Sequence, residues 1–465
     1  MARRAPLPTS WLVAGVLVIG LAFRLALVSS WHAPAGDGLH YFQLSQELRA
    51  HGRFAYGPPP RELTYTRMPG YPLFLAYVAV GAAPVDLDTH LRRATRVNVL
   101  CDLGSALLVF LLLLELGMAK RAALAGFAAV IACPLMFLFS CYGLTESLST
   151  FLSTLEVYLA LRAMRSRPIA FAAAAGLVAG FALLVRADAA VAAPAVLLGL
   201  LFAKVSWPRK LGGAAAFGLC AALVFAPWPI RNLQRFGDPH VGAARWRTQD
   251  GRELPDEVFA WTRTWACSAA GEGYDDLLFY LDRPLDVNNP GVLRAEMYDD
   301  AAEREEVKAL FLRYNRERFT PPVIAGFAKL AHDHFRRHPF RFFVTLPLQR
   351  VLHLYTPLPE YEAPMRVRWM LLPQLRGVFW AWDLILYALA IAGAVLLYRR
   401  GRGSPDRRWL AVVGSCILAR TALFSFAMPH VTTQRYLVEV FPLLLALAVY
   451  GGTAVLARLQ PRAPN

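Results

Sequence analysis

Apolar residues in this chain run in long unbroken blocks instead of recurring at every third or fourth position. Stretches such as 11–28 and 211–228 are apolar on every side of a helix, the pattern of a helix surrounded by lipid or deep protein core. Counting a span as roughly 17 to 25 residues, shorter where a helix packs inside a bundle, the pattern predicts ten spans. They cover 11–28, 97–116, 122–139, 144–161, 169–185, 189–202, 211–228, 379–398, 409–426 and 436–456. The expected fold class is an all-α polytopic membrane protein with about ten transmembrane helices.

Two further apolar stretches do not read as spans. Residues 71–83 are too few to cross comfortably and predict an interfacial or re-entrant helix. Residues 340–358 are read as lying flat on the outer surface, with Arg336, Arg337 and His338 before them and Tyr355 after them as interfacial anchors. If this stretch spanned, the basic segment 399–408 would be carried to the outside.

Composition agrees: of 465 residues 56% are hydrophobic and 18% charged, with a mean hydropathy of +0.38. The formal net charge of +16 could suggest nucleic acid. The basic residues instead cluster at the ends of apolar runs, where they report topology, and nucleic-acid binding is set aside. Lys120 and Arg121, then 162–167, 204–210, 399–408 and 458–462, fall on one side with Arg3 and Arg4, and the positive-inside rule makes that side the cytoplasm. An even number of spans puts both termini there. The expected location is a bacterial inner membrane, crossed many times, with the first run kept as a span because it is long and lacks a small-residue cleavage site.

Three regions follow: an N-terminal bundle, 1–229, holding a first outer loop at 29–96; an outer region, 230–377, with interfacial helices; and C-terminal spans, 378–465. Cys101, Cys133, Cys220 and Cys416 lie in apolar runs as small hydrophobes, and Cys141 and Cys267 read as free thiols.

Candidate chemistry begins directly after the first span, at Gly36-Asp37-Gly38-Leu39-His40-Tyr41. A carboxylate at the mouth of a bundle can reach both a lipid phosphate at headgroup depth and an acceptor arriving from water. It could act as a general base or hold a divalent cation; standing alone, it would read as a helix N-cap. Thr66-Arg67-Met68-Pro69-Gly70-Tyr71-Pro72 follows in the same loop, and Arg67 could clamp a phosphate with two N–H groups or simply snorkel at the interface.

This ordered set resembles the bacterial branch of the dolichyl-phosphate-mannose protein mannosyltransferase family and its relative, the lipid A aminoarabinose transferase. Gly143-Leu144-Thr145-Glu146-Ser147, Leu183 to Asp188, Pro227 to Asn232 and Gln434-Arg435-Tyr436 with Phe441-Pro442 extend the likeness over most of the chain. The resemblance implies a GT-C-like helical bundle and an inverting glycosyltransferase that takes its sugar from a polyprenyl-phosphate carrier. It implies Asp37 as the catalytic acid, Arg67 and Arg435 as donor-phosphate ligands, and Glu146, Tyr41, Arg186 and Arg231 in supporting positions. The acceptor would be an envelope protein, lipid A or a glycan. The family's second acid is absent, since position 38 is Gly, and Thr66 stands where Glu is usual; a divalent cation at Asp37 and Glu146 is left open.

Ionisable residues at membrane depth need partners: Arg186 and Asp188 are expected to satisfy each other, while Arg420 has no assigned place. His332, His334 and His338 lie in a basic segment with no cysteine and read as a solvated interfacial helix instead of metal ligands. No phosphate loop of nucleotide-binding type and no serine elbow is present, so the energy comes with an activated donor. The alternatives are a flippase or transporter of a lipid-linked sugar, a polymerase or ligase using a lipid-diphosphate donor, and a non-enzymatic envelope partner.

Overall fold

The computed structural model describes residues 9–31, 36–57, 61–79, 85–242, 254–267, 293, 295–356, 372–401, 403–427 and 434–459. Arg3, Arg4, the prolines at 58–60, the ends of the 71–83 and 340–358 stretches and much of 230–377 lie outside them. The described chain is helical apart from one two-stranded hairpin, β1 (Ala55–Tyr56) with β2 (Glu62–Leu63), antiparallel with Ala55 opposite Leu63.

The helices are α1 (Thr9–Trp31), α2 (Gly36–His51), α3 (Gly70–Phe74), α4 (Leu87–Glu115), α5 (Lys120–Ala132), α6 (Pro134–Ser140), α7 (Glu146–Arg165), α8 (Pro168–Val185) and α9 (Ala193–Phe202). They continue as α10 (Trp207–Phe225), α11 (Pro227–Phe236), α12 (Asp256–Thr262), α13 (Ala301–Glu317), α14 (Pro321–Arg337), α15 (Leu346–Leu354), α16 (Leu372–Arg399), α17 (Pro405–Ala422) and α18 (Phe441–Leu459).

All ten apolar runs are helical. Among the described residues, five helices are long and apolar enough to cross a membrane: Leu87–Glu115, Pro168–Val185, Gly377–Arg399, Pro405–Ala427 and Gln434–Leu459. Seven result if two bent pairs each count as one span, α5 with α6 at 54° and α10 with α11 at 42°. Pro134 and Pro227 open the second member of each pair, and a proline that removes an N–H is the expected cause of such a bend. Of the remaining three runs, 11–28 lies within α1, a helix of 23 residues, 189–202 lies in the short apolar helix Ala187–Phe202, and 144–161 forms α7, which buries Glu146, Ser149, Thr150, Ser153, Thr154 and Glu156 among its apolar residues. The protein is a multi-pass, all-α membrane protein.

The chain divides into two units. The first comprises Met1–Ala243, Glu362–Ala419 and Val438–Asn465. Within it, Arg24 of α1 forms a buried ion pair with Asp102 of α4 at 2.6 Å and donates to the carbonyls of Val130 and Ile131 at 3.1 Å. Three helices are thereby tied by a charge that lipid would not tolerate unpaired. Backbones meet closely where glycine permits: a Cβ on Gly176 or Gly180 of α8 would lie 2.3 Å from the Phe217 carbonyl oxygen or 2.6 Å from that of Ala221, both on α10. Small residues spaced four apart are how spans approach closely in a membrane.

The second unit comprises Ala244–Tyr361 and Arg420–Leu437. Its core sets α12, α13 and α14 around Trp261, Phe311, Tyr314 and Phe327. Asp300 caps α13, accepting from the Glu303 N–H at 2.8 Å. Beyond α14 a π-helical turn (Arg341–Thr345) leads into α15. This stretch exposes Phe340, Phe343, Leu348 and Leu352 and buries Arg350, which donates to the carbonyls of Arg263 and Ala266, each at 2.7 Å, and of Ser425 at 3.1 Å. Arg420, unassigned from sequence, is buried, donates to the Tyr436 carbonyl and lies over the Phe424 ring.

Candidate active site

Asp37 sits one residue inside α2, and its carboxylate meets Arg67: Arg67 Nη2 lies 2.5 Å from Asp37 Oδ1. One helical turn on, His40 joins the pair, with Nδ1 accepting from Arg67 Nε at 3.2 Å and lying 3.0 Å from Nη2. A ring nitrogen that accepts from a guanidinium must be bare, which fixes the neutral tautomer with its proton on Nε2. Burial, and then the adjacent Arg67, hold the imidazole below its usual pKa against the opposing pull of Asp37. The pair is open to solvent, Arg67 being 30% and Asp37 36% exposed. Among the described residues no donor faces Asp37 Oδ2, and no acceptor is bound to Arg67 Nη1.

The Arg67 loop is held on three sides. A Cβ on Gly70 would lie 2.6 Å from the backbone at Leu184 and Val185, so only glycine lets α3 lean on the end of α8. Asn98 of α4 bonds the Tyr71 hydroxyl at 3.2 Å and the Tyr142 carbonyl at 2.7 Å. Arg231 donates to the Thr64 carbonyl at 2.8 Å and the Phe54 carbonyl at 3.3 Å, its guanidinium over the rings of Phe54, Trp228 and Phe236. Arg231 thus grips the hairpin that leads into Arg67.

Tyr41 is buried, edge-on to Tyr71 with ring centroids 5.1 Å apart. Its hydroxyl is pushed above the usual tyrosine value by burial, then by Asp37, with Arg67, Glu146 and Arg186 contributing smaller effects of both signs. At the far end, Arg186 follows α8 in an extended conformation and meets three acids. It reaches Asp188 at 3.0 Å, Glu439 at 3.1 Å and Glu146 at 3.5 Å, and donates to Thr145 Oγ1 at 3.2 Å. All three of its nitrogens are engaged, whereas Arg67 keeps one edge open. The expected Arg186–Asp188 pairing is there, and Glu146 has joined it.

Arg435 lies in the second unit, on a 3-10 turn (Gln434–Val440), 5.9 Å over the Tyr436 ring. In that same unit His334 is buried and not solvated, and it brings one donor atom within 4.8 Å of one each from Asp299 and Glu303. Those three could hold a cation by distance. Arg337, however, already bridges the same carboxylates, Nη1 to Asp299 Oδ2 at 3.2 Å and Nη2 to Glu303 Oε1 at 2.5 Å, so a guanidinium takes the place an ion would occupy. Burial lowers the His334 pKa.

Sequence reasoning passed over His40, Glu439, Arg24 and Asp102. His40 had a signal, its i+3 spacing from Asp37; Glu439 stood as a lone acid at the edge of an apolar run.

No family model and no curated protein matches the chain. Among solved structures it is similar to ArnT from Cupriavidus metallidurans bound to undecaprenyl phosphate, at 15% identity and a TM-score of 0.43, covering 98% of this chain and 82% of that one. It is also similar to the apo oligosaccharyltransferase of Archaeoglobus fulgidus, at 12% identity and a TM-score of 0.51, covering 96% of this chain. This chain spans about half of that enzyme's length, 51%. The archaeal likeness rests on shape and not on sequence. The fold of the chain is accordingly that of the GT-C type membrane glycosyltransferases.

Proposed function

We propose that the protein is an inverting glycosyltransferase that moves a sugar from a polyprenyl-phosphate donor to an envelope acceptor at the outer face of the membrane. The observation that carries this reading is the Asp37–Arg67 pair, in which a carboxylate oxygen and a guanidinium edge both stand open side by side. The GT-C fold supports it.

In the reaction, Asp37 Oδ2 takes the proton of an acceptor hydroxyl as its oxygen attacks the anomeric carbon. The bond from that carbon to the phosphate oxygen breaks on the opposite face, which inverts the configuration. Polyprenyl phosphate leaves with the bonding pair, and Arg67 meets the charge that develops on it. Glu146, Tyr41, Arg186 and Arg231 shape and hold the site. Asp37 and Glu146 each already face a guanidinium, so the donor charge is assigned to arginine.

The test is transfer from a radiolabelled polyprenyl-phosphate hexose or pentose by the purified protein in detergent, wild type against Asp37→Asn. Loss of transfer in the variant supports the reading. Equal transfer by both sinks it, and movement of the lipid across a vesicle without transfer favours a flippase.

A further inference from the structure

We infer that His40 is a positioning residue of this site, whose bare Nδ1 fixes the plane of Arg67 so that Nη1 points toward the donor phosphate. The inference rests on the reading of Arg67 as a phosphate ligand. A guanidinium is a rigid planar fork. One carboxylate on one nitrogen leaves that fork free to turn about the contact. Two acceptors along one edge do not: His40 Nδ1 lies 3.2 Å from Nε and 3.0 Å from Nη2, while Asp37 Oδ1 lies 2.5 Å from Nη2. The Nε–Nη2 edge is filled, and the direction of Nη1 follows.

The same arrangement frees Asp37. With His40 covering Nε, the carboxylate meets Arg67 through Oδ1 alone, and Oδ2 is left for an acceptor hydroxyl. His40 is itself held: the Tyr56 ring packs against it edge-on, 4.6 Å between centroids and 68° between planes. Both Asp37 and His40 stand on the first turns of α2, so the spacing of a single helix sets the geometry of both groups around Arg67. Preorganising a side chain before the ligand arrives reserves binding energy for the transition state.

A His40 that merely filled space would be replaced by leucine without harm. His40→Asn keeps an acceptor, its Oδ1, near the position of Nδ1, whereas His40→Leu and His40→Ala remove it. The experiment measures kcat and KM for the radiolabelled polyprenyl-phosphate sugar with the full-length protein and these three variants, and binding of polyprenyl phosphate alone to each. The expected result is a KM for the donor raised roughly tenfold, with weaker polyprenyl-phosphate binding, in the Leu and Ala variants. His40→Asn recovers most of the loss, coming within about threefold of wild type. A leucine variant equal to wild type, or an asparagine variant as poor as alanine, overturns the role of His40 while the transferase reading stands. A wild type that transfers from no polyprenyl-phosphate sugar and binds no polyprenyl phosphate overturns the reading beneath it.

Discussion

Glu439, at the turn ahead of the last helix, lies 3.1 Å from Nε of Arg186 and is the third carboxylate on that one guanidinium. Glu146, Asp188 and Glu439 are all buried, so Arg186 is the cation that makes their burial tolerable. Arg186→Met leaves three buried acids together and is expected to cost about 3–5 kcal/mol. Glu439→Gln, which removes one of three like charges and keeps the shape, costs less than about 1 kcal/mol. Thermal unfolding in detergent separates the two, and equal losses would mean that Arg186 is not the keystone of the cluster.

The Arg24–Asp102 pair gives a second comparison. Each side chain is 2% exposed or less. Asp102→Leu strands a guanidinium between α1, α4 and α5 and is expected to destabilise by roughly 3–5 kcal/mol. Adding Arg24→Met restores most of that, because a matched apolar pair avoids the desolvation of both ions. A double variant no more stable than the single one would contradict this.

Gly70→Ala tests the seat of the Arg67 loop. The added methyl would lie 2.6 Å from main-chain atoms of Leu184 and Val185, which cannot rotate away as a side chain would. The expected cost is roughly 1–3 kcal/mol, with a fall in donor affinity because α3 carries Arg67 off its partners. An alanine variant with wild-type stability and transfer would show that the contact is not needed.

The pH dependence has a definite sign. Burial and Arg67 lower the His40 pKa from its usual 6.5, so the ring is neutral at neutral pH. Arg67 of the loop ahead of α3, Asp37 of its own helix and the Tyr56 ring of β1 are the groups that face it. As pH falls through the lowered value, Nδ1 gains a proton, loses its bond from Arg67 and repels it. Transfer is expected to fall on that acid limb, and in His40→Asn the limb is expected to vanish or move. An unchanged acid limb in the variant assigns it to another group.

Much of this architecture was readable from residue order because the constraint is strong. A lipid-facing helix must be apolar for its whole length, so every one of the ten apolar runs is helical. The bends at Pro134 and Pro227 follow from lost N–H groups. Asp37 and Arg67 could be singled out because both fall in the first outer loop, 29–96. Less local pairings were not legible: Arg24 with Asp102, or Arg186 with Glu439, depend on which spans pack together, and apolar runs do not encode their neighbours. His334 illustrates the same limit, since its acids, Asp299 just ahead of α13 and Glu303 in its first turn, do not come from its own helix.

The central claim is that Asp37 drives release of polyprenyl phosphate from a sugar donor. Phosphorus NMR of a polyprenyl-phosphate sugar incubated with protein and an envelope extract as acceptor reads this directly, since the phosphodiester of the donor becomes a phosphate monoester. The account predicts monoester accumulation with the wild type and a rate lower by roughly 100-fold or more with Asp37→Asn. Monoester formed equally fast by both proteins would contradict it.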